Sequence, residues 1–319
     1  MLEDIKQRIL NSQLIQRLLK FSKVLVLPGF DKLPIYYVAK FFLKGIQKGL
    51  IPTKASSMAF KFFMALFPTI IFLLTLIPHI PIDNFQAELL EILKDLLPES
   101  GYDFTETTII SLVTNSQDGL LSFGFLFAIY LATNGIDGML LAFKDSYNTK
   151  INRNAFQQKG LSISLLFILT FLVIIAIALI LITEYMVGYI LDPGSITSIL
   201  LLLGKWIIMA ALCFFAISFI FYLGGDRTLK WRFFSAGSSL ATLMVLIVSY
   251  GFGYYVDHFA NYNKVYGSIG TIIVVMLWIY FNSIVLLLGF ELNASIQQAG
   301  SIKEVEESIE KERLLKELF

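Results

Sequence analysis

The sequence predicts an all-α membrane protein, a polytopic bundle of six transmembrane helices with amphipathic interfacial and cytoplasmic helices at its ends. Three observations predict it. Apolar stretches long enough to cross a bilayer recur six times, and the last carries no formal charge from Val265 to Phe290, 26 residues. At about 1.5 Å per residue such a helix covers a hydrocarbon core of roughly 30 Å with length to spare. The 319 residues are 56% hydrophobic and only 15% charged, where soluble domains carry about 25% charge, and the mean hydropathy is +0.73. Finally, the segments between the apolar stretches alternate in charge.

Taken in order, the chain opens with Leu2, Ile5, Ile9, Leu14, Leu18 and Phe21 at helical spacing opposite charged positions, the pattern of an amphipathic helix. Leu27-Pro28-Gly29 breaks it. A second amphipathic segment runs from Lys32 to Leu50, with Lys40, Lys44 and Lys48 every four residues and Tyr37, Phe41 and Phe42 as its apolar, aromatic face. This pattern suits a helix lying among anionic headgroups, and the three lysines are candidate membrane-surface residues. Residues 1–23 lack a continuous apolar run and do not read as a cleavable signal peptide.

The six spans are expected at 55–80, 119–143, 160–183, 198–223, 233–256 and 268–292. Lys40, Lys44, Lys48 and Lys54 precede the first span without an acidic residue among them. The next connection, 81–118, holds eight carboxylates against Lys94 alone; Lys144, Lys150, Arg153 and Lys159 follow with one Asp145. Near Asp192 the outer turn has no basic residue, and Arg227, Lys230 and Arg232 outnumber Asp226 on the inner side. The positive-inside rule then places both termini in the cytoplasm of a bacterial cytoplasmic (inner) membrane protein. Within 81–118, Phe85, Leu89, Ile92, Leu93 and Leu96 recur with helical period, which predicts an outer helical cap. The domains expected are therefore 1–54, amphipathic; 55–297, transmembrane; and 298–319, a charged cytoplasmic helical tail with Glu307–Lys311 and Glu312–Lys316 pairs.

Ionisable and amide side chains inside spans are costly in lipid and face protein or a hydrated cavity. Lys61 and Asp137 sit at similar inner-leaflet depth, Asp137 within Thr133-Asn134-Gly135-Ile136-Asp137-Gly138. They predict either a polar site near the cytoplasmic mouth of a cavity or an ion pair joining the first two spans. Glu291 and Arg232 lie at matching inner depth and suggest a second contact, while Glu184 and Lys205 occupy outer ends. Asn282, mid-span, is expected to hydrogen-bond another helix. Tyr266, Gly267 and Gly270 at the entry to the last span, and Gly289 near its end, read as turn or close-packing positions. Gly251-Phe252-Gly253 reads as a packing or kink signal. Trp206, Trp231 and the tyrosines at 254, 255, 262 and 266 fit aromatic belts.

Three separated motifs, Ala55-Ser56-Ser57-Met58-Ala59-Phe60 with Ala65-Leu66-Phe67-Pro68, then Ile136-Asp137, then the last span with its Tyr266-Gly267-Ser268-Ile269-Gly270 entry and Leu286-Leu287-Leu288-Gly289-Phe290-Glu291-Leu292-Asn293 exit, resemble the BrkB/YihY family of bacterial membrane proteins, once labelled ribonuclease BN. The resemblance covers roughly residues 50 to 297 and implies an architecture rather than a reaction.

A net charge of +1 gives no basic field for nucleic acid, and the single Cys213 excludes an intrachain disulfide framework. The two histidines, His79 and His258, fall at outer span ends, and no metal-hydrolase, P-loop or nucleophile-elbow motif occurs. No catalytic residue, cofactor or metal is expected, and ribonuclease activity is not. Two functions stay open: transporter or flippase-like handling of a lipid or other amphiphile, with anionic headgroups engaged at the cytoplasmic face, or a structural scaffold of the envelope.

Overall fold

Every regular element among the described residues is helical, and the apolar runs of the sequence become long helices. The computed structural model describes residues 13–76, 118–146, 151–186, 196–225, 232–259 and 268–318. The outer cap expected at 81–118 lies almost wholly outside them, as do Tyr266 and Gly267. The helices are α1 Gln13–Ser22, α2 Ile35–Lys48, α3 Ile51–Leu76, α4 Asp118–Lys144, α5 Ala155–Tyr185, α6 Ile196–Gly224, α7 Ala236–Phe259 and α8 Ser268–Leu318. Among the described residues, five stretches are long and apolar enough to cross a membrane: Leu126–Lys144, Ala155–Ile180, Ile199–Gly224, Ala236–Val256 and Ile272–Ile302. α3 occupies the place of the first expected span, with Lys54 and Lys61 in its opening turns; its side chains beyond Leu66 lie outside the described residues.

Local chemistry moves two boundaries. α5 begins five residues before the expected span because Asn154 caps it: its side chain accepts from Gln157 N–H while the Gln157 side chain accepts from Asn154 N–H. At the other end of the chain, the expected tail is no separate helix. α8 runs unbroken for 51 residues, about 76 Å of helix. Gly300 does not interrupt it, being seated beside Leu33.

The C-terminal ends of α4 and α6 meet the middle of α8 at three buried aromatic rings. Phe143 stacks on Phe290 at 4.1 Å between centroids, and Phe221 stands edge-on to both at 5.8 and 5.9 Å, the offset and edge geometries that aromatic quadrupoles favour. Around them close Met58, Met139, Leu140, Leu165 and Ala241. Two crossings use small residues. Gly135 and Gly138 of α4 face Phe62 and Lys61 of α3, and Gly237 of α7 meets Gly289 of α8, where an added Cβ on Gly289 would stand 2.6 Å from Ala241 Cβ and 2.8 Å from the Gly237 carbonyl oxygen. Gly289 is thus a close-packing position, as its place in the motif suggests, and Gly270 is buried too. Gly251 and Gly253 differ from the expectation: no described atom lies within 4 Å of a Cβ built on either.

α2 and the loop before it dock on the middle of α8. Phe30, Leu33 and Val38 pack with Leu292, Ile296 and Ala299, and Phe41 and Phe42 join them. These two phenylalanines therefore cover protein, a correction to their reading as a lipid-facing aromatic surface. The face left outward carries Tyr37, Leu43 and Lys40, Lys44 and Lys48. By contrast α5 turns Phe167, Phe171, Val173, Ile174 and Ile177 outward along most of its length, the inverted exposure of a helix whose solvent is hydrocarbon.

Candidate functional site

Most of the polar residues picked out along the spans gather toward one side of the bundle, where α4 ends and α5 begins, but with partners other than those expected. Asp137 and Lys61 do not pair. Asp137 Oδ1 accepts from Ser162 Oγ on α5 at 3.3 Å, and Lys61 lies across Gly138, where a side chain at that position would collide with it. Their near-neighbour positions make α3 and α4 pack closely because Gly138 gives the lysine stem room. One turn outward, Asn134 Oδ1 accepts from Lys159 Nζ at 2.7 Å, and the same ammonium lies 5.7 Å from the centre of the Tyr130 ring.

Arg232 and Glu291 are also drawn to separate partners. Arg232 forms an ion pair with Asp31 at 2.9 Å, in the loop that Gly29 turns with a left-handed φ of +82°. Glu291, 4% exposed, accepts from Ser146 Oγ at 2.6 Å. Lys54, one residue before the expected first span, donates to the Asp145 carbonyl at 2.5 Å. Burial pushes the Lys54 pKa below its ordinary value, while the Asp145 and Glu291 carboxylates act in the opposite direction. Lys54, Asp145, Ser146 and Glu291 thus tie the starts and ends of α3, α4 and α8 together. Two positions along, Asn293 accepts from Gly237 N–H and donates to Ser235 Oγ, both at 2.8 Å, so it holds the first turn of α7 where the glycines bring α7 and α8 into contact. Asn293 was visible in the sequence only as the end of a motif.

Asn282 bonds within its own helix, donating to the Trp278 carbonyl at 2.9 Å, rather than across to another. Its Oδ1 is buried without a hydrogen-bond partner among the described residues. The residue lines an apolar cavity of about 380 Å³ whose walls include Phe62 of α3, Ile136 of α4, Leu166 and Leu169 of α5 and Trp278 of α8. A second cavity, about 550 Å³, opens where the C-terminal end of α4 meets the N-terminal end of α5, and Asp137, Lys144, Arg153, Gln158 and Lys159 line it. Arg153 Nη2 donates to the Leu223 carbonyl at 2.9 Å and to that of Gly225, placing its cation against the negative end of α6. Sequence reading had Lys144, Arg153 and Lys159 only as a topogenic basic loop, and gave Gln158 no role.

In the first half of α6, Lys205 Nζ lies 5.9 Å from the centre of the exposed Trp206 ring; the Glu184 side chain lies outside the described residues. Among the described residues no three His, Cys, Asp or Glu side chains converge as metal ligands.

A family model described as virulence factor BrkB matches residues 42–313. The chain is 29% identical over 249 residues to the ribonuclease-like protein YfkH of Bacillus subtilis, an alignment covering 77% of this chain and 90% of that one. It is 23% identical over 264 residues to a UPF0761 membrane protein of Vibrio campbellii and 24% over 263 residues to the UPF0761 membrane protein VP0125 of Vibrio parahaemolyticus, with 81% of each chain covered in both cases. No solved structure matches.

Proposed function

The chain belongs to the BrkB family of membrane proteins, and from that premise we propose that it binds and moves a lipid or other amphiphile across a bacterial inner membrane. In this proposal α3 supplies the sixth span and both termini are cytoplasmic. The observation that carries it is the cavity between α3, α4, α5 and α8, apolar but for Asn282 and Ser283. A space of about 380 Å³ within a bundle is of the size that small apolar ligands occupy, and its walls suit hydrocarbon. The unpartnered Asn282 Oδ1 is a polar group that a dry scaffold would satisfy or omit. The ribonuclease-like name of a relative finds no support in the residues: the carboxylates Asp137 and Glu291 each accept from a serine, on different elements.

A scaffold role is the competing proposal, and one observation favours it. α8 is about 76 Å long for its 51 residues, more than twice a hydrocarbon core, and its charged end would offer partners a lever. Proteoliposomes separate the two. The native chain should speed the transbilayer redistribution of a fluorescent short-chain phospholipid, and Ala132→Phe, which fills the cavity from α4, should abolish that acceleration while membrane insertion persists. Native proteoliposomes no faster than protein-free vesicles, across zwitterionic and anionic lipids, would leave the scaffold.

A further inference from the structure

We infer that the cleft between the inner ends of α4 and α5 is a binding site for a phosphate ester, the headgroup of a glycerophospholipid. This deepens the lipid proposal by naming the headgroup chemistry, but it rests on binding and holds whether or not the lipid is moved. Three cations and one carboxylate line the cleft, an excess of positive charge at a depth where phosphates sit. Arg153 is engaged by the carbonyls at the end of α6, so Lys144 and Lys159 carry the charge a ligand meets. An ammonium has three donors; Lys159 directs one to Asn134, and Lys144 reaches the Arg153 carbonyl only at 3.5 Å. The positive end of the 31-residue α5 helix adds to the same field.

Gln158 points independently to a ligand. It is 8% exposed, it lines this cleft, and both its Nε2 and Oε1 are buried without a hydrogen-bond partner among the described residues. Leaving both ends of an amide unsatisfied is costly, and a ligand that satisfies them removes that cost. A rotamer change toward the cleft would let Nε2 donate to a phosphate oxygen and Oε1 accept from a headgroup hydroxyl or ammonium. Asp137 is the second acceptor for such a group, and it disfavours a bare anion. The requirement is thus a phosphate joined to an alcohol that carries its own donor, which glycerol and ethanolamine headgroups satisfy.

A lipid, rather than a soluble phosphate, fits the continuity of α5. Lys159 and Leu166 are seven residues apart, as nearly as possible on one stripe, and Gln158 and Leu169 are eleven apart on another. The helix faces that line the basic cleft therefore pass into the walls of the apolar cavity after about 10 to 16 Å. Phe156, 91% exposed at the cleft's edge, stands where an aromatic ring meets the interface.

The test uses the full chain in non-ionic detergent, with thermal stability and native mass spectrometry as readouts. Short-chain phosphatidylglycerol should bind and raise Tm, and the matching diacylglycerol, which lacks phosphate, should not. Lys144→Gln and Lys159→Gln should each weaken phosphatidylglycerol binding about tenfold, the scale of a lost charge-assisted hydrogen bond. Gln158→Leu should keep or raise the Tm of the lipid-free protein while removing most of the shift on adding lipid, a combination that loss of folding does not produce. If glycerol 3-phosphate binds as tightly as the lipid, the phosphate-ester site stands but the lipid assignment is overturned. Equal stabilisation by diacylglycerol, or lipid binding unchanged in both lysine variants, would overturn the site. Headgroup binding without movement in proteoliposomes counts against the transport proposal alone.

Discussion

Burying the Glu291 carboxylate strips it of water, and hydrogen bonds with opposite charge must offset that penalty. Ser146 donates to it at 2.6 Å and Lys54 acts on it electrostatically. Ser146→Ala should therefore lower stability in detergent by about 1.5–3 kcal/mol, the range for a hydrogen bond to a charged group. Glu291→Gln keeps the shape and loses the charge, and should cost a comparable amount. Because both changes break one interaction, the double variant should fall well short of the sum; additive losses in thermal or denaturant unfolding would mean that the serine and the carboxylate act separately. At this scale the sequence was half legible. Asn134, Asp137 and Glu291 stand out because an uncharged run makes any polar residue conspicuous. Their partners do not: Lys159 and Ser162 each lie 25 positions from the residue they meet, and Ser146 lies 145 from Glu291. No periodicity encodes such distances.

Among the helices, hydropathy picked out five stretches that are long and apolar enough to cross a membrane among the described residues, since length and apolar content are what a bilayer selects. What hydropathy does not report is capping and continuation. Asn154 and Gln157 start α5 early through side-chain bonds, and α8 continues through Gly300 because no proline or turn follows it. Glycine is equally ambiguous in a sequence, where packing, kinking and mere tolerance look alike. The structure separates them, and the difference is testable. Gly289→Ala pushes a methyl into Ala241 and the α7 backbone, which should cost about 1–3 kcal/mol. Gly251→Ala and Gly253→Ala meet no atom of the described residues and should gain up to about 1 kcal/mol through helix propensity. Thermal unfolding of the three variants in detergent checks both signs, and a destabilised Gly251→Ala would show that α7 has a neighbour there.

For the molecule as a whole, sidedness follows from which parts touch. The loop and helix from Phe30 to Phe42 pack on α8 at Leu292, Ile296 and Ala299, so the N-terminal segment lies at the C-terminal end of the last span. Lys54 joins the end of α4 through Asp145, and Arg153 caps the end of α6. These contacts bring Lys40, Lys44, Lys48, Lys54, Lys144, Arg153 and Lys159 to one side of the bundle without reference to any membrane. Charge then bears on the compartment: under the positive-inside rule, the proposal places this side, rich in lysine and arginine next to span ends, in the cytoplasm. Reporter fusions at Lys150 and Arg227 should accordingly read cytoplasmic, and one at Glu99 should read outside. The first two results are coupled, because Arg153 bonds the carbonyls of Leu223 and Gly225, so the connection before α5 and the one after α6 are expected on one side. An outside signal at both, with Glu99 inside, would invert the protein and move the headgroup cleft to the outer leaflet. An outside signal at only one would contradict the packing of α4, α6 and α8 around Phe143, Phe221 and Phe290, on which every inner position depends.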